Sequence, residues 1–377
     1  MNFEFSEEQN MLRDQAVSFL RDNAPLSADR KILEGEAAYD SQLWQSITEL
    51  GWTATTIPEE FGGLGLGYLE LCVLAEELGR SLAPVPFSSS VYLATEALIQ
   101  QGSKKQKEQY LTRLAEGLLV GCLAVAETQG AVTEKSVKAR VTRGKMTGTK
   151  IMVADGDIAD FAVVLANSSK GHGLYLVDLN GPGVKRKTMQ TIDPSRSHAR
   201  IEFKGAPAEN LGREGRGFAL MERLFDRAAV LFAFEQLGGA EAAMNMAKEY
   251  ALGRYAFGRP IAGYQAIKHK LARMYVAVTL ARSNCYYGAW ALSHDAPELP
   301  VAAAACRVSA TEAYRECTEE NIQTHGGMGF TWEFDCHLFY RRAMLIAVNL
   351  GGLPAWKDRL ITNIQKDRKR SQRKKAA

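Results

Sequence analysis

The chain has 377 residues, of which 46% are hydrophobic and 24% charged, proportions typical of a globular protein large enough for two or three domains. No apolar run approaches the roughly 18 residues that a membrane-spanning helix needs. The N-terminus lacks the basic-then-apolar layout of a secretory signal, so we expect a cytoplasmic protein with no membrane span.

The net charge of +3 is concentrated at the end of the chain. A basic tail, residues 366–377, contains seven Lys or Arg and one Asp, so the rest of the chain has a net charge of −3. Such a tail is either a solvated chain end or a contact for phosphate. Because no nucleic-acid-binding motif accompanies it, we expect no nucleic-acid partner.

Residues 1–118 have the apolar periodicity of helices, as at Leu12, Ala16 and Leu20. A glycine-rich loop, PEEFGGLGLG at 58–67, interrupts the pattern. No strand precedes this loop, as a dinucleotide-binding fingerprint would require, so we interpret it as a tight surface turn. We predict an N-terminal helical domain.

Residues 119–213 are β-rich, with turn signals such as Asp155-Gly156 between the apolar stretches. The stretches are CLAVAE, ARVTRGKMTGTKIMVA, DFAVVLANS, GLYLVDL, GVKRKTM and ARIEFKGA. Because no helices separate them, we predict a middle antiparallel β-domain, a barrel or a sandwich.

Residues 214–365 return to long helices, including predicted helices at 263–293, 299–325 and 332–348. Their length and their content of Ala, Leu and Met favour a C-terminal four-helix bundle. The expected fold class is therefore mainly α with a β insert.

The six cysteines are scattered, and we predict buried reduced thiols. The six histidines form no ligand spacing, so we expect no metal site.

Two glycine-containing motifs lie in the helical region. In RYAFGRPIAGYQ (254–265), Arg254 could pair with a diphosphate, Phe257 could lie along a planar ring, and Gln265 could hydrogen-bond a cofactor edge. An inter-helix turn with a surface arginine explains this stretch equally well.

The second motif, QTHGGMGFTWE, starts at Gln323. Its glycines Gly326 and Gly327 break a helix and allow close backbone approach, so their N–H groups could face phosphate oxygens. Alone the glycine pair is weak support, but the upstream motif strengthens it.

Together with FSEEQNMLRD at the start, IPEEFGGLGLG and the β insert, these motifs resemble the acyl-CoA dehydrogenase family along nearly the whole chain. The resemblance implies a flavoenzyme that oxidises the Cα–Cβ bond of acyl-CoA, with FAD across a subunit interface and electron-transfer flavoprotein as acceptor. It also implies that Arg254, Phe257, Gln265, Gln323 and Gly327 contact the FAD of a neighbouring subunit.

The resemblance fails at the catalytic base. Most of the family has a Glu-Gly-Thr sequence after an Arg-Asp-Ala element, whereas this chain has Arg341-Arg342-Ala343 and then Leu350 at the Glu position. In a second branch the base lies on an earlier helix, at the position of Ala228. The weak substitutes, Glu222 and Asp226, lie about 120° and 160° around the helix from Ala228.

The predicted flavin contacts of the β-domain also differ from the family pattern. The family's Thr-Glu-Pro becomes Ala126-Glu127-Thr128, where Thr128 is left as the hydroxyl donor. The family's Trp-Ile-Thr becomes Met152-Val153-Ala154, so a thioether replaces the aromatic cover and the threonine hydroxyl is lost.

These losses lead to four hypotheses. The first is one subunit of a heteromeric FAD-dependent acyl-CoA dehydrogenase whose partner supplies the base. The alternatives are a self-sufficient homotetramer with a non-standard base, a non-catalytic acyl-CoA or flavin-binding scaffold, and a flavin oxidase or monooxygenase on the same fold. The sequence does not identify the acyl chain.

Overall fold

The structure is a computed structural model that describes the backbone of residues 6–376 and the side chains of residues 6–368. The helices are α1 (Glu7–Asn23), α2 (Leu26–Leu33), α3 (Ser41–Glu49), α4 (Tyr68–Arg80), α5 (Glu96–Gln101), α6 (Lys104–Ala115), α7 (Gly217–Gly253), α8 (Gln265–Ser293), α9 (Leu299–His325), α10 (Cys336–Ile346) and α11 (Leu353–Ala376). The strands are β1 (Gly121–Ala124), β2 (Arg140–Thr142), β3 (Lys145–Ala154), β4 (Phe161–Ser168), β5 (Gly171–Asp178), β6 (Val184–Met189), β7 (His198–Pro207), β8 (Glu209–Leu211), β9 (Tyr255–Ala256) and β10 (Arg259–Pro260).

Several helix ends agree with the sequence signals, but the helix predicted at 332–348 is shorter, because α10 spans only Cys336–Ile346. The hydroxyl of Ser6 accepts the N–H of Gln9 at 3.2 Å, and the Gln9 side chain accepts the N–H of Ser6 at 3.0 Å, so a reciprocal capping box starts α1. The predicted helices 263–293 and 299–325 are confirmed as α8 and α9, and the glycines after His325 end α9.

Eight of the strands form one sheet in the order β6-β7-β3-β2-β4-β5-β8, with β1 beside β4. The predicted fold class, a β insert between helical regions, is confirmed. Most pairings are antiparallel as expected, but β1 and β2 both run parallel to β4. The prediction missed these pairings because β-rich stretches do not reveal which distant strands become neighbours.

The chain divides into two compact units. The first contains the described residues up to Leu26, residues 72–83 and the chain from Ala229 onward; the second contains residues 27–71 and 84–228. The predicted boundaries at 118, 213 and 365 stay a prediction. Of the basic tail, residues 369–377 lie outside the described side chains.

In the first unit, α4 and α7 cross at backbone contact. A Cβ on Gly79 would lie 1.9 Å from the carbonyl oxygen of Glu235, and one on Gly238 would lie 1.8 Å from that of Glu76. Glycine is therefore required on both helices. Beside the crossing, the buried Glu76 carboxylate pairs with Arg282 at 2.8 Å, which fixes α8 against α4.

All six cysteines are free and buried, as predicted. Within residues 6–376, no group of three or more His, Cys, Asp or Glu could hold a metal ion. None of the helices described is both long enough and apolar enough to cross a bilayer.

Candidate functional site

One end of the first unit brings together the ends of three helices. The rings of Tyr250, in the last turns of α7, and His325, at the end of α9, stack with centroids 4.0 Å apart. Helices α8 and α9 are joined by a short turn, and Lys270 near the start of α8 pairs with Glu320 near the end of α9. The two sequence motifs therefore lie at the same end of the unit.

Between α7 and α8 the chain forms a small hairpin, β9 and β10, that the sequence did not predict. Its two central residues, Phe257 and Gly258, both have positive φ, +50° and +81°, as a type I′ turn requires. An aromatic residue rarely adopts this backbone conformation, and such strain often marks functional positions. The Phe257 side chain is 98% exposed, so the hairpin presents a bare aromatic ring to solvent.

The polar residues of the same end are also exposed. Arg254, Gln265 and Gln323 all lie at the surface. Among the described residues, no carboxylate forms an ion pair with Arg254, so its guanidinium is available to an anion.

The glycine segment, residues 326–330, completes this end. Gly326 has φ +62° and ψ −137°, a conformation suited to glycine. A Cβ added at Gly326 or Gly327 would meet no atom within 4 Å. The positive φ explains the glycine at Gly326, but neither backbone conformation nor packing explains the absence of a side chain at Gly327. The open space is what a closely approaching ligand would need.

His325 directly precedes the glycine segment, at the end of α9. The sequence did not indicate a role for it. Its ring is buried between Tyr250 and Phe334, and its Nδ1 lies 2.9 Å from the Asn321 carbonyl oxygen. Burial lowers the pKa of His325 from its ordinary value, so the ring is neutral near pH 7.

In the second unit, Thr128 and Met152 occupy neighbouring segments. The N–H of Ile151 donates to the carbonyl oxygen of Ala126 at 2.9 Å, which places the two segments side by side. Thr128 is exposed, and Met152 is 43% exposed with φ +52°. The register of β3 against β7 shifts between Lys150 and Val153, so a bulge turns Met152 outward.

The position that the resemblance assigns to the base is buried and apolar. Leu350 is 5% exposed, and its carbonyl oxygen accepts the indole N–H of Trp356 at 3.2 Å. The preceding helix, α10, ends against the buried guanidinium of Arg307, which donates to the carbonyl oxygen of Ile346 and to Gln236 Oε1 at 2.6 Å. Burial lowers the pKa of Arg307 to about 10. The position that the resemblance assigns to the base is therefore filled by a packed leucine, near the end of a helix that contacts a buried arginine.

The alternative base position has no carboxylate either. Ala228 is fully buried, Glu222 is exposed, and Asp226 is buried at 5% exposure. The three lie on one helix, so their angular separation stays as the sequence predicts it.

Next to Ala228, Arg227 and Glu96 form a buried ion pair, so neither charge is left for catalysis. Arg227 donates to Glu96 Oε1 at 2.5 Å, and the hydroxyl of Tyr68 donates to Glu96 Oε2 at 2.9 Å. Burial raises the pKa of Glu96, and the arginine and tyrosine oppose that rise. Because both oxygens are engaged, Glu96 serves the packing of the second unit.

Two family descriptions match this chain: "Acyl-CoA dehydrogenase, N-terminal domain" over residues 6–118 and "Acyl-CoA dehydrogenase, C-terminal domain" over residues 215–352. The chain belongs to the acyl-CoA dehydrogenase family. Relatives named acyl-CoA dehydrogenase support an oxidoreductase that acts on acyl-CoA.

Acyl-CoA dehydrogenase IpdE2 of Mycobacterium tuberculosis is 32% identical over 338 residues, which cover 89% of this chain and 91% of that protein. The Tcur3481-Tcur3483 steroid ACAD, solved as a variant, is 28% identical with a TM-score of 0.87, covering 96% of this chain and 98% of that one. The ChsE4-ChsE5 complex of Mycobacterium tuberculosis is similar at 26% identity and a TM-score of 0.87, covering 97% and 99%.

Proposed function

We propose that this chain is one subunit of a cytoplasmic heteromeric FAD-dependent acyl-CoA dehydrogenase, and that a homologous partner supplies the catalytic base. The reaction is the α,β-desaturation of an acyl-CoA thioester, with electron-transfer flavoprotein as acceptor. The observation on which this rests is that both family positions for the base, Leu350 and Ala228, are apolar and buried, whereas the residues that the resemblance assigns to a neighbouring FAD are present at the surface.

The residues of that end fit FAD by their chemistry. Arg254 offers a planar pair of donors to a diphosphate, and the open backbone at Gly326 and Gly327 allows phosphate oxygens to approach the N–H groups. The exposed ring of Phe257 offers a face to the isoalloxazine or the adenine. In the second unit, Thr128 and Met152 would supply a hydroxyl and a thioether to the ring of an FAD that this chain itself holds, separate from the neighbouring subunit's FAD that Arg254 faces.

When bound, FAD supplies the hydride acceptor of the reaction. The residues of this chain bind and orient it: Arg254 neutralises phosphate charge, and Gln265 and Gln323 hydrogen-bond its edges. A base must also remove the α-proton, and a leucine side chain has no lone pair with which to do so. Leu350 therefore keeps its surroundings dry and apolar, and the proton must pass to a carboxylate of another chain.

Two of the similar structures support a two-protein arrangement, because their names each pair two proteins: ChsE4 with ChsE5 and Tcur3481 with Tcur3483. The Tcur3481-Tcur3483 protein is described as a steroid ACAD. We therefore include bulky ring-bearing acyl thioesters among the substrates to test.

The decisive experiment compares the chain purified alone with the chain co-expressed with a homologue that has glutamate at the position of Leu350. Flavin absorbance and turnover of an acyl-CoA panel with an artificial electron acceptor are measured on both. We expect flavin and turnover only in the co-expressed complex. The matched control is the same complex with the partner's glutamate changed to glutamine, which should keep flavin and lose turnover.

The other outcomes identify the alternatives. Flavin and turnover in the chain alone would establish a self-sufficient enzyme. Acyl-CoA binding without turnover in either form would establish a scaffold, and oxygen consumption without an added acceptor would establish an oxidase or monooxygenase.

A further inference from the structure

The second unit contains a buried ion pair beside the two predicted flavin contacts. Glu127 lies between β1 and β2, and Lys150 lies in β3. The Lys150 ammonium is 2.7 Å from Glu127 Oε1, and the side chains are 0% and 8% exposed. Charged groups are seldom buried this completely without a specific role.

The carboxylate of Glu127 joins the two ends of the segment 125–139, which we call the neck of this loop. It accepts the N–H of Lys138 at 2.8 Å and the N–H of Ala139 at 3.0 Å, both at the far end of the segment. These bonds are charge-assisted, so they are stronger than those a neutral amide would form. Glu127 therefore holds the two ends of the loop from Thr128 to Val137 together, and Asn167 adds a further contact by donating to the carbonyl oxygen of Val137 at 2.6 Å.

Lys150 joins the neck to the sheet. Its ammonium also donates to the carbonyl oxygen of Val125 at 3.0 Å, at the near end of the segment. Burial lowers the pKa of Lys150, and the hydrogen bond that its ammonium donates to Glu127 opposes this. The ammonium and the carboxylate thus connect both ends of the loop to β3 at one point.

Each residue predicted to contact the flavin ring is close in sequence to one member of the Glu127–Lys150 ion pair. Thr128 is the next residue after Glu127, and Met152 is two residues after Lys150, in the bulge that turns it outward. A shift of either charged side chain would move the backbone from which the hydroxyl or the thioether projects.

We propose that Glu127 and Lys150 are positioning residues for the flavin ring, acting through Thr128 and Met152. This proposal rests on the proposed function, because it assumes that FAD is the ligand. Neither residue contacts the ring; each fixes the segment that does.

The test uses Glu127→Gln, Lys150→Met and the double variant, with Glu202→Gln as control. Glu202 forms a 3.2 Å ion pair with Lys204 in the same sheet, but both side chains are substantially exposed. The FAD dissociation constant is measured by flavin fluorescence, on the chain alone or in its co-expressed complex, whichever binds FAD. Thermal melting and amide hydrogen exchange at Lys138, Ala139 and Ile151 are measured without added FAD.

We expect Glu127→Gln to weaken FAD binding about tenfold, as loss of a charged group that orients a ligand contact does, and to speed exchange at Lys138 and Ala139. The double variant removes the unpaired buried ammonium, so it should regain melting temperature. It should not regain FAD affinity, and this separates positioning from simple stabilisation. The Glu202→Gln control should match the wild type in all three measurements.

Suppose that the wild type binds FAD, and that Glu127→Gln and the double variant fold and bind FAD within about twofold of the wild-type affinity. The positioning role is then wrong, while the proposed function stands. Recovery of FAD affinity together with melting temperature in the double variant would also overturn it. If the wild type binds no FAD alone or in complex, the proposed function and this proposal fall together.

Discussion

The first unit contains two regions that differ in exposure: the end formed by the β9–β10 hairpin and the glycine segment, and the segment around Leu350. The first exposes Arg254, Phe257 and two bare glycines. The second buries Leu350 and two arginines, Arg307 and Arg342. The groups that we propose for a ligand bridging two chains lie at the surface, whereas the position that the resemblance assigns to the base holds a packed leucine. Retention of the fold therefore does not imply retention of the base.

The strongest test of this contrast is Leu350→Glu. Leu350 is 5% exposed, so a carboxylate placed there would lose its solvation, and we expect a loss of roughly 3 kcal/mol in the free energy of unfolding. Urea denaturation measures it, and Leu350→Gln, with the same shape and no charge, should cost less. A variant that is stable and gains turnover without a partner would show that the chain lacks nothing but the base.

Arg254→Ala tests the other side of the contrast. Loss of a charged hydrogen-bond donor to a diphosphate should weaken FAD binding by roughly 2 kcal/mol, about thirtyfold. Flavin fluorescence titration of the FAD-binding form measures this. Arg254→Lys keeps the charge without the planar fork and should fall in between; equal affinity in all three proteins would remove Arg254 from the site.

Gly327→Ala tests whether the open space at the glycine segment is used. Because the added Cβ meets no atom within 4 Å, the melting temperature should not change. The methyl group would obstruct a phosphate that approaches the backbone, so FAD affinity should fall by about fivefold. Gly253→Ala, where a Cβ also meets nothing within 4 Å, is the matched control and should leave affinity unchanged.

The buried ring of His325 predicts a smaller effect that depends on pH. Its pKa is lowered by folding, so the unfolded chain binds the proton more readily, and the free energy of unfolding should fall as pH drops below 6.5. Denaturation at several pH values between about 5 and 8, a range that brackets the ordinary pKa of histidine, measures this pH dependence of the free energy of unfolding. His325→Phe should flatten it, whereas substitution of the exposed His294 should not; the reverse result would assign the dependence to another group.

The smallest expected effect is that of Asp226→Asn, which should leave turnover of the co-expressed complex unchanged. Asp226 lies about 160° around the helix from the alternative base position, so it points away from the place where a base would act. Loss of turnover with flavin still bound would restore the self-sufficient hypothesis.

Much of this molecule could be predicted because its signals are local. Helices α8 and α9 follow from periodicity and from the glycines that end them, and the absence of a carboxylate at Leu350 can be read directly from the sequence. The burial of Lys150 could also have been predicted from the sequence. It lies on the same inward face of β3 as Met146, and a lysine on that face requires a buried partner.

Other features depend on contacts that the sequence does not express. The positive φ of Phe257 arises from pairing between β9 and β10, two-residue strands too short to give a periodic signal. The stack of His325 on Tyr250 joins residues 75 positions apart in sequence order, on different helices, and only tertiary packing brings them together.

The bare ring of Phe257 has a consequence for the life of the protein in a cell. Phe330, in the glycine segment of the same unit, is also 85% exposed, so a copy of the chain on its own presents two large aromatic rings to solvent. Such surfaces attract chaperones and promote aggregation, so surplus chains would be selectively removed. Under the proposed function, a homologous partner would cover these rings, so the cellular amount of this chain would depend on the amount of that partner.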